Sequence, residues 1–159
     1  MLERIPGKNG NHQENLPSGN SWKHHATRYE NLFFNVPIGL YVARADGSLL
    51  EANPALVRIL RFPDKESLLQ VHMPDLYIEE KDRLQWRKLM KNHQAVYQFE
   101  TILKRYDGEL IWIKENTKAI VDDTGLVLRY EGSIEDITYH KNIRERNQMQ
   151  ARMLNAVSQ

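Results

Sequence analysis

Residues Tyr97 to Lys141 read YQFETILKRYDGELIWIKENTKAIVDDTGLVLRYEGSIEDITYHK. Asp107-Gly108 and Asp122-Asp123-Thr124-Gly125 each separate segments that alternate with a period of two. Asp and Gly supply the positive φ angles of tight hairpins, so the stretch is expected to be a three-stranded antiparallel meander. Alternation then assigns faces. In the first strand Tyr97, Phe99, Thr101 and Leu103 oppose Gln98, Glu100 and Lys104. In the second, Ile111, Ile113, Thr117, Ala119 and Val121 oppose Trp112, Lys114, Asn116 and Lys118, with Glu115 as a charged misfit in the inward set. In the third, Leu128, Tyr130, Gly132 and Ile134 oppose Arg129, Glu131, Ser133 and Glu135, and Gly132 on the inner face leaves room for another group.

Upstream of the meander the chain reads as a cover for that sheet. Residues 1–20 are rich in Gly, Asn, Gln, Pro and charge, too poor in large apolar groups to offset ordering entropy, and are expected to be a flexible tail. Residues 21–36 form an amphipathic helix with Trp22, Ala26, Tyr29 and Phe33 on one stripe. Pro37 stops it, and Ile38 to Arg44 alternates as a strand with Ile38, Leu40 and Val42 on one side. A turn at Ala45-Asp46-Gly47 leads to a strand over Ser48 to Ala52. Asn53-Pro54 joins a preferred N-cap to a preferred first helical residue, and a helix follows with Leu56, Ile59 and Leu60 inward. Asp64 caps a short helix over Lys65 to Gln70. A longer helix over roughly Glu79 to Asn92 places Trp86, Leu89, Met90 and His93 on one face. After the meander, Asp136-Ile137-Thr138 offers cap-type residues, and a helix without Gly or Pro leaves the domain. Its seam of Tyr139, Ile143, Met149, Met153 and Val157 follows a 3.5 spacing only loosely. The elements are therefore α+β: an N-terminal amphipathic helix, two strands, a block of short helices, a three-stranded antiparallel meander and a C-terminal linker helix.

Bulk properties narrow the function. The 22 basic and 21 acidic residues give a net charge of +1, so no global field attracts nucleic acid or an anionic membrane. Lys141, Arg144, Arg146 and Arg152, set against Glu145, read as a solvated linker face rather than a nucleic-acid patch. Zero cysteines exclude disulfides, thiolate nucleophiles and Cys-ligated metals. No apolar run approaches the roughly 20 residues that span a bilayer, and the opening MLERIPGKNG lacks a signal-peptide core. Residence in the cytoplasm is the expectation. No phosphate loop, zinc ligand set or nucleophile elbow is present, so no catalytic activity is expected. His24 and His25, adjacent on a helix, point about 100° apart and are not expected to share a metal ion.

The residues Pro37-Ile38-Gly39, Ala45-Asp46-Gly47, Asn53-Pro54-Ala55, Tyr106-Asp107-Gly108, Trp112-Ile113, Asp123-Thr124-Gly125 and Gly132 to Thr138, in that order, resemble a PAS domain with its C-terminal PAC-type motif. The likeness runs from about Tyr29 to Lys141, with the core over residues 37–137 and a signalling linker helix over 138–159. It implies a five-stranded antiparallel sheet with short helices covering one face, and a sensory or interaction module of a multidomain signalling protein, such as a histidine kinase or diguanylate cyclase. A homodimer through the terminal helices and an output domain downstream are implied with it. By the same resemblance Asp136 and Thr138 join sensor to linker. The closing run Arg152 to Gln159 looks like the entry Asn31 to Pro37, so a second PAS-like unit or an output module is expected to follow.

Within such a module the input is expected between sheet and helices. The candidate ligand-binding residues are Glu115, Ile113, Thr117, Phe99, Tyr97, Tyr130 and Gly132 on the sheet and Trp86 and Met90 on the long helix, with Tyr41 adding a hydroxyl. Glu115 either receives a ligand amine or hydroxyl, pairs with an Arg or Lys, or sits at the sheet edge. The resemblance also raises cofactors. Chromophores linked through cysteine are excluded by composition, whereas non-covalent flavin and haem are not. Haem would take His93 as its proximal ligand, although a histidine at a helix C-terminus is already favoured by the helix dipole. His72 is the weaker haem candidate. A ligand-free docking module is a further alternative.

Overall fold

The computed structural model describes the backbone of residues 21–158 and the side chains of residues 27–158. The expected tail over 1–20 and the side chains of Trp22, His24, His25 and Ala26 lie outside the described residues. In chain order the elements are α1 (Ser21–Asn35), β1 (Gly39–Ala43), β2 (Leu49–Ala52), α2 (Pro54–Leu60) and α3 (Lys65–Leu69). A 3₁₀ turn (Met73–Leu76), α4 (Glu80–His93), β3 (Ala95–Lys104), β4 (Leu110–Val121), β5 (Val127–Asp136) and α5 (Thr138–Val157) complete it. The five strands form one antiparallel sheet in the order β2-β1-β5-β4-β3, so the last strand of the meander lies in the middle against the first strand of the chain.

Asn53 shows why the N-terminal half folds as it does. Its Oδ1 accepts from Leu56 N (3.0 Å), capping α2, and from Leu40 N in β1 (2.8 Å). Its Nδ2 donates to the carbonyls of Phe33 (3.0 Å) and Ile38 (2.9 Å). A fully buried amide thus satisfies backbone groups of three segments, which ties α1, β1 and α2 together. Below it the dry core holds Leu56, Leu60 and Leu68 from the helices against Leu103, Ile111, Ile113 and Ile134 from the sheet, each at most 1% exposed. A second cluster, Met90, Val96, Phe99 and Ala119, lies under α4.

Two β-bulges change which residues face inward. In β3 the register passes from Val96 opposite Thr117 to Phe99 opposite Glu115, so Tyr97 and Gln98 share one partner, Asn116. Gln98 takes φ +52°, and both its N and Nε2 donate to Asn116 Oδ1 (2.9 and 3.4 Å). The extra residue flips the alternation. Val96 points in, and Tyr97, expected on the inner face, is 69% exposed. In β5 the irregularity at Leu128, between Val127 opposite Val121 and Arg129 opposite Ile120, likewise sends Leu128 out and packs Val127 against the second cluster.

In β1 the buried side carries Gly39, Tyr41 and Ala43, opposite Leu40 and Val42. Of the α1 stripe, Tyr29 is 74% exposed and Phe33 only partly buried, because the helix touches the domain chiefly at its C-terminal end. The cap-type residues before α5 do not cap it by a side-chain bond at its N-cap, Ile137. Thr138 instead spends its hydroxyl on the β4 backbone, accepting from Trp112 N at 3.0 Å.

Candidate functional site

The inner face of β4 presents Ile111, Ile113, Glu115, Thr117 and Ala119 to the helices, as alternation requires, and all five are buried. Glu115, 3% exposed, is neither at the sheet edge nor paired with a cation. Its Oε1 accepts from Tyr41 OH (2.7 Å), Thr117 Oγ1 (2.7 Å) and Trp86 Nε1 (3.0 Å), and its Oε2 accepts from Tyr77 OH (2.5 Å). Four neutral donors from β1, β4, α4 and the segment before α4 thus replace the water that a buried carboxylate would otherwise lose. Burial first, and the Glu115 charge second, push the Tyr41 and Tyr77 hydroxyls well above the usual tyrosine range, so both keep their protons and serve as donors.

Gly132 explains how Tyr41 gets there. The two residues are partners across β1 and β5, and a Cβ on Gly132 would come within 2.5 Å of the Tyr41 hydroxyl and 2.7 Å of Thr117 Oγ1. The room left by the glycine is therefore filled by the Tyr41 ring, which lies across the sheet to reach Glu115. From the other side, α4 is held over the network by few apolar groups. Met90 is its one buried residue, Trp86 and Leu89 pack half-buried beside it, and polar contacts add to these: Thr101 Oγ1 donates to Asp82 Oδ2 (2.7 Å), and Trp86 bonds Glu115. The Trp86 ring also meets Tyr130 edge-on at 5.5 Å.

A pocket of about 140 Å³ opens over this network. Glu115, Tyr41 and Tyr130 form its floor, and Tyr77, Trp86, Arg83 and Arg87 line the α4 side. The rim is the Ala45-Asp46-Gly47 turn against Met73 and Pro74. Gly47 sits at φ +92°, and a Cβ there would strike Pro74 Cδ at 2.7 Å, so the rim packs this closely only around a glycine.

Of the residues expected to bind a ligand, Glu115, Tyr130 and Trp86 line the pocket. Thr117 supports Glu115 from beneath, Gly132 accommodates Tyr41, and Ile113, Phe99 and Met90 are packed into the two cores. Tyr97 is outside altogether. Sequence reasoning missed Arg83, Arg87 and Tyr77. The helical spacing of Arg83 and Arg87 around Trp86 was the available signal, since residues one turn apart share a face.

The cofactors raised by the sequence do not fit. His93 is exposed at the C-terminus of α4, and His72 lies near the surface beside the Asp46 carbonyl. The volume is well below the ~300–1,000 Å³ of pockets for drug-sized ligands, and haem and flavin are larger still. Among the described residues no group of three or more His, Cys, Asp and Glu side chains is arranged to hold a metal ion. No helix among them is long and apolar enough to cross a membrane.

At the far end of the same strands, β4 and β5 anchor the exit helix. Asp136 Oδ2 pairs with Arg105 Nη2 (2.7 Å), and Asp136 Oδ1 accepts from Thr138 N (3.0 Å). Ile137 N donates to the Trp112 carbonyl (2.9 Å), returning the bond that Trp112 N makes to Thr138. One turn on, Lys141 pairs with Glu100 and sits 4.4 Å above the Trp112 ring centroid.

A five-stranded antiparallel sheet with helices over one face, a small pocket beneath the longest of them and a helix leaving the last strand define an α+β module of the sensor type. The PAS domain family model matches residues 37–139, and the chain belongs to that family. Among solved structures it is similar to an RNA-binding light-oxygen-voltage receptor (TM-score 0.68, 20% identity), covering 92% of this chain and 42% of that one. The chain thus spans under half the length of that receptor. It is similar also to a sensory box histidine kinase/response regulator from Burkholderia thailandensis E264 (TM-score 0.65, 21% identity, 81% and 98% covered). A third neighbour is the PAS domain, in complex with ethanol, of a LuxR-family transcriptional regulator from Burkholderia thailandensis (TM-score 0.57, 28% identity, 69% and 96% covered). Curated proteins yield no match.

Proposed function

We propose that this PAS domain is a non-catalytic sensory module that binds a small molecule in the pocket over Glu115 and passes the event through β4 and β5 to α5. The observation that carries the reading is the Glu115 network itself: a buried carboxylate, held by donors from separate elements, that borders an accessible pocket. Such a network responds to an occupant because every added or displaced donor redistributes the bonds that hold α4. The route outward is short. Glu115 pairs with Ile134, two residues before Asp136, and lies three residues after Trp112, whose backbone holds the first turn of α5. The ethanol complex of the Burkholderia PAS domain supports the scale of the ligand, a molecule of a few heavy atoms.

Native mass spectrometry of the purified protein tests the binding step. A small molecule that co-purifies with the wild type and is lost in Glu115→Gln is the expected result. Hydrogen exchange tests transmission: Glu115→Gln is expected to lower protection in α4 and in residues 138–145. Lowered protection in α4 with an unchanged start of α5 would sink the proposed route.

Assembly into a homodimer is part of the proposal. No residue of α5 is buried, and a 20-residue helix with Tyr139, Met149, Met153, Leu154 and Val157 all exposed gains its stability from packing against another surface. Tyr29, Leu32 and Phe34 of α1 are similarly exposed. A second copy supplies matching surfaces for both helices by symmetry, and an output domain would continue from α5. Sedimentation at high concentration should show a dimer that weakens on deletion of residues 1–28; a monomer unaffected by that deletion removes this part.

A further inference from the structure

We infer that the pocket takes a small zwitterion, a molecule of amino-acid size with a carboxylate at one end and an ammonium at the other. The inference rests on the reading of the pocket as a ligand site and adds the chemical class of its occupant.

The lining separates charge. On the α4 side Arg83 and Arg87, four residues apart and so on one face of the helix, both reach the pocket. Among the described residues neither side chain has an ion pair or hydrogen bond, and Arg83 Nε is buried without a partner. A buried guanidinium N–H left unpaired costs free energy, and a carboxylate that can be gripped by two parallel N–H bonds best matches its planar fork. Asp46 at the rim makes no ion pair with either arginine. Its Oδ1 already accepts from Ser48 N (2.9 Å) and Ser48 Oγ (2.7 Å).

On the floor the sign reverses. Glu115 Oε1 accepts three hydrogen bonds, but Oε2 accepts only that of Tyr77. A carboxylate oxygen has about two lone-pair sites, so Oε2 keeps one acceptor site on the pocket side. All four existing partners are neutral, and among the described residues no cation is in ion-pair contact with Glu115. An ammonium would therefore supply both a donor and the missing positive charge, and the faces of Trp86 and Tyr130 beside it favour a cation further. Arginines on α4 and a carboxylate without an ion-pair partner on β4, lining one pocket, complement a zwitterion. Either half alone would leave one end unmet. The volume of about 140 Å³ limits the span between its charged groups to a short one.

Calorimetric titration of the full chain with the twenty common amino acids, with the amine each gives on losing its carboxylate, with the acid each gives on losing its amine, and with ethanol and propanol tests this directly. At least one amino acid is expected to bind tenfold or more tightly than both its amine and its acid. Arg83→Gln should reduce that amino acid to the affinity of the amine, Arg83→Lys should restore it only in part, and Glu115→Gln should reduce it to the affinity of the acid. Circular dichroism of each variant separates lost binding from lost folding, and the Arg83 variants keep the test open if Glu115→Gln unfolds. Binding of alcohols, amines or acids as tight as that of any amino acid, or an Arg83→Gln variant with undiminished binding, overturns the zwitterion while leaving the pocket a ligand site. Binding of none of these probes, with no molecule co-purifying in native mass spectrometry, overturns both.

Discussion

Ile111 and Ile113 stand on the same face of the same strand as Glu115 and Thr117, yet the two pairs belong to different kinds of interior. Around the isoleucines the helices α2 and α3 contribute Leu56, Leu60 and Leu68, all fully buried, and the sheet answers with Leu103 and Ile134. Around Glu115 the covering helix contributes one buried side chain, Met90, the half-buried Trp86 and Leu89, an indole N–H and two arginines without a partner among the described residues, while Tyr41 and Tyr77 bring hydroxyls from other segments. The first region is held by contact area, which is non-directional and tolerant of small shifts. The second is held by directional bonds to a single carboxylate, so its strength depends on what occupies the neighbouring space. A helix held partly by hydrogen bonds over a pocket is expected to respond to an occupant more than the leucine-packed helices do.

Substitutions in the two regions should therefore differ in kind as well as size. Leu60→Ala is expected to be the most damaging, lowering the unfolding free energy by about 2–5 kcal/mol, because a fully buried leucine leaves a cavity in a rigid surround. A urea midpoint close to that of the wild type would mean that the leucine region is looser than its burial implies. Glu115→Ala comes next, at about 1–3 kcal/mol, since it strands four donors, although water entering from the pocket can satisfy some of them. Its distinguishing mark is local: exchange protection should fall over α4 and not over α2, and equal loss in both helices would erase the contrast drawn above.

Alkaline titration gives a smaller and subtler difference. Tyr41 and Tyr77 have hydroxyls raised above the ordinary tyrosine value of 10.0 by burial and by Glu115. Because the folded state holds these protons more tightly than the unfolded one, the stability they lend is present in full below about pH 10 and is lost as pH rises above it. Tyr41 and Tyr77 should escape ionisation near pH 10 in an ultraviolet titration and ionise only as the chain unfolds. Two phenolates appearing at ordinary pH from Tyr41 and Tyr77, identified by Tyr→Phe substitution, would show that the network is open to solvent. The smallest effect on stability belongs to Arg83→Gln, within about 0.5 kcal/mol, as the side chain has no protein partner to lose. A thermal melt that drops by several degrees would reveal a structural duty for Arg83 instead.

Much of this architecture was legible in the residues. The hairpins at Asp107-Gly108 and Asp122 to Gly125, the cap at Asn53-Pro54 and the inward direction of Glu115 follow from local rules, because turn chemistry, capping and alternation act over a few residues. Within the meander the errors fell where one residue too many enters a strand. At Tyr97 and Leu128 a bulge reverses the alternation, and nothing in the local composition marks either site, since the bulge is a property of a strand and its partner together.

What the sequence determined by itself, then, was a five-stranded PAS-type sheet with a charged residue on its covered face and a helix leading away from it. Tertiary structure alone decided what that charge meets. Tyr41, Tyr77 and Trp86 come from positions as many as 74 residues from Glu115 in the chain, and they converge on it only because β5 pairs between β1 and β4 and Gly132 lets the Tyr41 ring cross. Hydrogen bonds of that reach depend on strand order and on the placement of α4. Local periodicity encodes neither, and so the arginines at the pocket looked like any other solvated charges until the helix that carries them was set over the sheet.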